Sequence, residues 1–183
     1  MSEILNAIGK DWRALPPGRL EQTYKTWRNR PRLVGLKSRL VDAVLPEYKT
    51  GPARLVLDVA CGSGVFLEIM RHYGHGILGT EVKYFDYLES QNIPHIVHDG
   101  SQVPYPFADQ SVDLVTCMAA ISLFRQPWET TLGELFRIAR QTVLVVANSG
   151  PNLDRNIASV LTYRPPGWRL EQARETIFKW VRS

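Results

Sequence analysis

Cysteine is scarce. The chain carries only Cys61 and Cys117, and neither belongs to a Cys-x-x-Cys pair or a Cys/His cluster. A disulfide framework and a structural zinc site are therefore not expected, and a reducing cytoplasm is the expected compartment. Long apolar runs are missing as well: no stretch approaches the roughly 20 residues that a membrane-spanning helix needs. Met1-Ser2-Glu3-Ile4-Leu5-Asn6 lacks the basic stretch and apolar core of a secretory signal, so neither a membrane nor an export route is expected. There are no internal repeats and no low-complexity segments. Acidic residues are thin in one place, between Arg13 and Arg39, where eight basic side chains stand against a single acid, Glu21. Such a block attracts phosphates or an acidic partner, or is simply a solvated helix face.

What is present is an ordinary globular composition, 44% hydrophobic and 22% charged with a net charge of +4. The 183 residues suffice for one compact domain with its own core. Residues 1–50 read as a basic helical cap, punctuated by Pro16-Pro17-Gly18 and Pro31. Within it Leu33, Leu36, Leu40, Val41 and Val44 keep a helical spacing and form a packing face. Gly51-Pro52 closes this zone. From residue 53 strands and helices alternate. Strands are expected at 54–59, 77–81, 94–98, 112–118 and 143–147, and helices at 65–73, 84–91 and 128–140. Such alternation implies an α/β fold, a doubly wound and mainly parallel sheet with helices on both faces. Residues 51–150 form the expected core. Residues 151–183 read as a helical tail, with helices at 152–163 and 169–182. The sheet is expected to stop at its fifth strand, whose edge the tail or another subunit would cover.

The most informative segment is the turn Asp58-Val59-Ala60-Cys61-Gly62-Ser63-Gly64. A buried strand ends there, the chain turns tightly and a helix begins, which in a doubly wound sheet is the crevice where ligands bind. A dinucleotide fingerprint requires a third glycine, and Leu67 stands in that place. A phosphate loop requires Gly-Lys-Ser/Thr, which is absent.

Residues 55–64, LVLDVACGSG, instead resemble motif I of the class I S-adenosylmethionine-dependent methyltransferases, of the small methyltransferase-11-like kind. The resemblance runs through about 55–147 and includes DGSQVPYPFADQSVDLV at 99–115. It implies a Rossmann-like sheet of order 3-2-1-4-5 followed by an antiparallel hairpin, which the helical look of the residues after Ala147 leaves out of the expectation for this chain. It implies S-adenosyl-L-methionine as cofactor, with Asp58, Ala60, Cys61, Gly62 and Gly64 at the turn. Glu81, with Val82, would hold the ribose hydroxyls at the second strand end. Asp99, with Gly100 and Ser101, would receive the adenine amino group at the third, and Cys117 and Met118 would contribute at the fourth. The plainer readings are that Asp58 bonds backbone amides of the glycine loop, that Glu81 is a solvated strand end and that Asp99 only makes an Asp-Gly turn.

The resemblance implies methyl transfer by proximity and in-line orientation. Residues 116–124 would line the acceptor pocket, and they are small and apolar. Many relatives carry Leu-x-His where Leu123-Phe124-Arg125 stand, so no catalytic base is assigned. Tyr24, Trp27, Tyr105, Ser122 and Phe124 are the substrate-lining candidates. His72 and His75 read as surface residues at a helix end, and Cys117 reads as a small buried apolar residue. No metal site is expected. A small-molecule acceptor leads; an RNA or protein acceptor held by residues 13–39 and a non-catalytic binding module are the alternatives. Oligomeric state is open.

Overall fold

The computed structural model describes residues 17–147, 153–174 and 176–183. Arg13 of the basic block, the first third of the expected cap and the start of the expected tail lie outside the described residues.

Five parallel strands form the centre of the sheet: β1 (Leu55–Val59), β2 (Gly76–Glu81), β3 (His95–Val97), β4 (Val112–Met118) and β5 (Ala139–Val146). Their order is β3-β2-β1-β4-β5. Val56, Leu57 and Val59 of β1 are fully buried, because this strand lies between β2 and β4 with helices on both faces. Alternate side chains enter different layers. Leu57, Val59, Val115 and Val143 join one cluster, and Val56, Leu114 and Leu144 join the other.

The first layer is completed by α6 (Trp128–Ile138), through Leu132, Leu135 and Phe136. The second holds α4 (Val65–His72), with Phe66, Leu67 and Met70, together with cap residues Val41 and Val44. The cap comprises α1 (Pro17–Arg28), α2 (Pro31–Val44) and α3 (Glu47–Thr50). Pro31 starts α2 rather than merely breaking the chain, since a proline is pre-organised for the first helical turn. Of the expected packing face, Val41 and Val44 are buried, whereas Leu36 is 58% exposed. α5 (Asp86–Ser90) links β2 to β3, and α7 (Leu153–Thr162) falls within the first helix expected in the tail. No described helix is long and apolar enough to cross a membrane.

Two expectations about the tail are corrected. The sheet does not stop at β5, and 169–182 is not a helix. β6 (Trp168–Arg174) and β7 (Ile177–Arg182) form an antiparallel hairpin, and β7 pairs antiparallel with β5, giving β3-β2-β1-β4-β5-β7-β6. Leu170, Ala173, Ile177 and Val181 match a helical spacing only by coincidence. The residues that decide the conformation alternate: Phe178 and Trp180 enter one core layer, and Ile177 packs against the other. Between them Lys179 looks like a solvent-facing break, yet it is 5% exposed and is bonded to Glu47 at 2.8 Å and Glu171 at 2.7 Å. Burial works against its charge, and those two carboxylates more than offset that, raising its pKa. His75 is likewise not on the surface. It is 4% exposed, its Nδ1 accepts the Arg54 N–H and its Nε2 therefore donates to the Tyr48 carbonyl at 2.6 Å.

Candidate cofactor site

The carboxyl ends of β1, β2, β3 and β4 meet above the turn at 58–64. The turn coils through left-handed backbone at Ala60, Gly62 and Gly64, with φ of 57°, 57° and 69°. β2 props it from below: the Ala60 N–H donates to Thr80 Oγ1 and the Cys61 N–H to the Thr80 carbonyl. Gly64 is required twice over, by its φ and because a Cβ there would collide with Ile93. Gly62 is different. The nearest side chain to its missing Cβ is the ring of Tyr24, at 3.7 Å, so its backbone faces a space that the core does not fill. Cys61 is buried with its sulfur against Gly79, and burial pushes its thiol far up.

Glu81 is the centre of the arrangement. It ends β2, is 2% exposed and accepts the Gly62 N–H at 2.6 Å and the Val82 N–H at 3.2 Å. Burial pushes its carboxyl up to about 7, against the pull of those two amides. Burial, and after it the nearby Glu81 carboxylate, hold the Tyr24 hydroxyl protonated well above its ordinary range. Glu81, not Asp58, thus serves the glycine loop. Asp58 lies opposite Thr116 in the β1–β4 pairing and accepts that hydroxyl at 2.6 Å, tying the two strands together. Burial raises its carboxyl to about 6.

At the end of β3 Asp99 accepts the Ser101 N–H at 2.9 Å in a tight turn. Gly100 is buried under the ring of Phe124, and its carbonyl accepts the Tyr105 hydroxyl at 2.8 Å. Tyr105 and Phe124 therefore belong to the core layer that α6 closes. Ser122 sits half-buried in a short 3-10 turn, Ile121–Leu123. Cys117 is fully buried at the end of β4, while Met118, Val82 and Tyr24 pack on the other layer. Of the predicted residues, Gly62, Glu81 and Val82 are brought into one bonded group with the Tyr24 ring over Gly62, and Gly100 and Tyr105 into a second with the Phe124 ring against Gly100. Trp27 stands beside Tyr24, with ring centroids 5.7 Å apart.

Sequence reasoning misses Tyr87 and Thr80. The Tyr87 hydroxyl donates to the Gly62 carbonyl at 2.9 Å, and no local pattern announces a bond across 25 residues. It also leaves Arg28 as a generic phosphate candidate. Arg28 instead reaches the Ser63 carbonyl and pairs with Glu68 at 2.6 Å.

A family model described as a methyltransferase domain matches residues 57–147, which span this site from β1 to the end of β5. This chain belongs to the class I S-adenosylmethionine-dependent methyltransferases. The fold is shared with a TehB-like S-adenosylmethionine-dependent methyltransferase of Corynebacterium glutamicum, at 19% identity and a TM-score of 0.66, covering 92% of this chain and 100% of that one. A methyltransferase of Aquifex aeolicus aligns over 92% of this chain and 98% of its own, with 16% identity and a TM-score of 0.57. The [4+2]-cyclase SpnF aligns at 15% identity and a TM-score of 0.58, covering 76% of this chain and 58% of its own. The chain spans 55% to 59% of three other methyltransferase structures that it resembles. No curated protein matches it.

The donor set suits the methyltransferase cofactor. A buried carboxylate at the end of β2 can accept two hydroxyl donors of the kind a ribose offers, and Gly62, without a Cβ, has no core side chain against its outer face.

Proposed function

We propose that this methyltransferase binds S-adenosylmethionine between the glycine turn and Glu81 and passes its methyl group to a small-molecule acceptor. The observation that carries the reading is the Glu81 carboxylate, buried and bonded to Gly62 at the end of β2. Glu81 would accept the ribose hydroxyls, and Gly62 would let the ligand lie against the backbone. Around Gly100 two buried polar atoms, His98 Nε2 and Gln126 Oε1, have no hydrogen-bond partner among the described residues. A purine edge offers both an amino donor and ring-nitrogen acceptors, which fits such a pair.

The cofactor supplies an activated methyl group on a sulfonium. The task left to the chain is to hold the acceptor in line with it and to keep water out. Ala119, Ala120 and Ile121 follow β4 without a titratable group, so the acceptor must bring a nucleophile that needs no base from this loop. Two observations favour a small acceptor over RNA. Arg28 is committed to Glu68, and Lys25 is paired with Glu21, so part of the basic block is neutralised within the chain.

Cofactor affinity is expected to rise with pH. Ribose hydroxyls donate, so they require the ionised form of Glu81, whose folded pKa lies near 7. Each unit below that value lowers the ionised fraction, and with it the affinity, about tenfold. Titrations at several pH values check this, and Glu81→Gln should flatten the profile.

The acceptor class is tested with methyl-labelled cofactor and a mixture of cellular metabolites and RNA. Label is expected in the low-molecular-weight fraction. Label in RNA, falling steeply with added salt, would overturn the small-molecule reading.

A further inference from the structure

The amino ends of the parallel strands, at the opposite end of the sheet from the glycine turn, carry three arginines that the cofactor reading does not use. Arg54 directly precedes β1, Arg140 is the second residue of β5, and Arg182 ends β7, which runs antiparallel to β5. With Glu47, Thr142 and Val181 among the other walls, they line a cleft of about 270 Å³.

Each guanidinium is already held in place. Arg54 lies 4.5 Å from the centre of the Tyr48 ring, and the Tyr48 hydroxyl donates to Thr142 Oγ1 at 3.0 Å. Arg182 donates to the Arg140 carbonyl at 2.9 Å and the Ala139 carbonyl at 3.0 Å, and it stacks 4.7 Å over the Trp168 ring. Arg140 donates to the Gln110 carbonyl at 3.2 Å and pairs with Asp113 at 2.8 Å. Charge is not balanced to match. Rings and carbonyls fix a guanidinium without neutralising it, and neither Arg54 nor Arg182 has a carboxylate partner among the described residues. The acid in the cleft, Glu47, is bonded to Lys179. Donors also remain: a guanidinium has five N–H groups, and Arg140 and Arg182 each spend two on the bonds above.

We infer that this cleft is a binding site for the phosphate group of a small phosphomonoester, separate from the cofactor site. A carboxylate is satisfied by one guanidinium fork, whereas a phosphate offers oxygens in three directions to donors on three strand ends. A phosphomonoester carries a charge of about −1.5 to −2 at pH 7, which matches the two guanidiniums that no acid offsets. The cleft is slightly smaller than the roughly 300–1,000 Å³ typical of ligand pockets, which suits a compact ester. Side chains fixed in advance lose little freedom when the ligand arrives.

The test is titration calorimetry with inorganic phosphate and with ribose 5-phosphate, at an ionic strength held constant with chloride, on the wild-type chain, Arg54→Gln and Arg182→Gln. One saturable site per chain is expected for both ligands. Each variant should weaken it about fivefold, the modest effect of a guanidinium–phosphate pair that is partly exposed. Arg54→Lys keeps the charge and loses the fork, so it should fall between the wild type and Arg54→Gln. Both ligands should raise the melting temperature of the wild type more than that of the glutamine variants, which reads the site even where a variant is less stable. Absence of saturable binding by the wild type, or equal affinity in the wild type and both glutamine variants, would overturn the site. So would a short RNA that binds tenfold more tightly than ribose 5-phosphate and loses that advantage steeply with salt, since the arginines would then belong to a nucleic-acid surface. Excess S-adenosylhomocysteine should leave phosphate affinity unchanged; competition between the two would put the anion in the cofactor site and contradict a separate one.

Discussion

Glu81→Ala is expected to lower S-adenosylmethionine affinity about a hundredfold while leaving the chain folded. A hydrogen bond to a charged group contributes roughly 1.5–3 kcal/mol, and a ribose diol would make two to this carboxylate, so a loss of about 3 kcal/mol is the lower expectation. Stability responds differently, because two costs oppose one another. The substitution orphans the Gly62 amide, but it also removes a carboxylate whose burial raises its pKa to about 7. Above that pH the native state bears the cost of an ionised group out of water, and the unfolded chain does not. Binding and folding therefore separate at this residue. Titration calorimetry gives the first quantity and urea denaturation the second. A variant that unfolds, or one that binds normally, would each show that Glu81 has another role.

Trp180→Ala is expected to destabilise the chain by about 3–5 kcal/mol. Trp180 is fully buried on β7, opposite Val143 of β5, and its ring meets Phe136 edge-on at 5.3 Å. Truncation opens a cavity between the hairpin and α6, where close-packed neighbours cannot collapse fully. For a chain of this size the melting temperature should fall by roughly 10 °C. The indole N–H finds no hydrogen-bond partner in the described structure, so Trp180→Phe sheds an unsatisfied donor and should cost much less. A loss below about 1 kcal/mol for Trp180→Ala would mean that the hairpin is an appendage rather than part of the core.

These two residues mark what a sequence reveals and what it conceals. β1, β4 and the helix after the glycine turn are legible because a strand buried on both faces is a continuous apolar run and a helix keeps its own period. Glu81 is legible in position, since the end of β2 follows from where its apolar run stops. Its partner is not, because Gly62 donates to it across 19 residues. Asp58 illustrates the same limit: its real partner, Thr116, lies 58 residues away on β4 and is chosen by strand register. The hairpin is hidden for a different reason. The alternation of Phe178 and Trp180 about Lys179 is too short to outweigh the helical spacing of Leu170, Ala173, Ile177 and Val181, and only the tertiary contacts with Glu47 and Glu171 explain a buried lysine there. Tyr24 reads in sequence as a lining residue of a basic helix, and only the packing of α1 brings its ring over Gly62.

The central claim is that the face of Gly62 beside Glu81 receives S-adenosylmethionine. Isothermal titration of the cofactor into the wild-type chain and into Gly62→Val, near pH 8, tests it most directly. Saturable binding of one molecule per chain, abolished in the variant, is the predicted result. Silence from the wild type at millimolar cofactor, or undiminished binding by Gly62→Val, would contradict it.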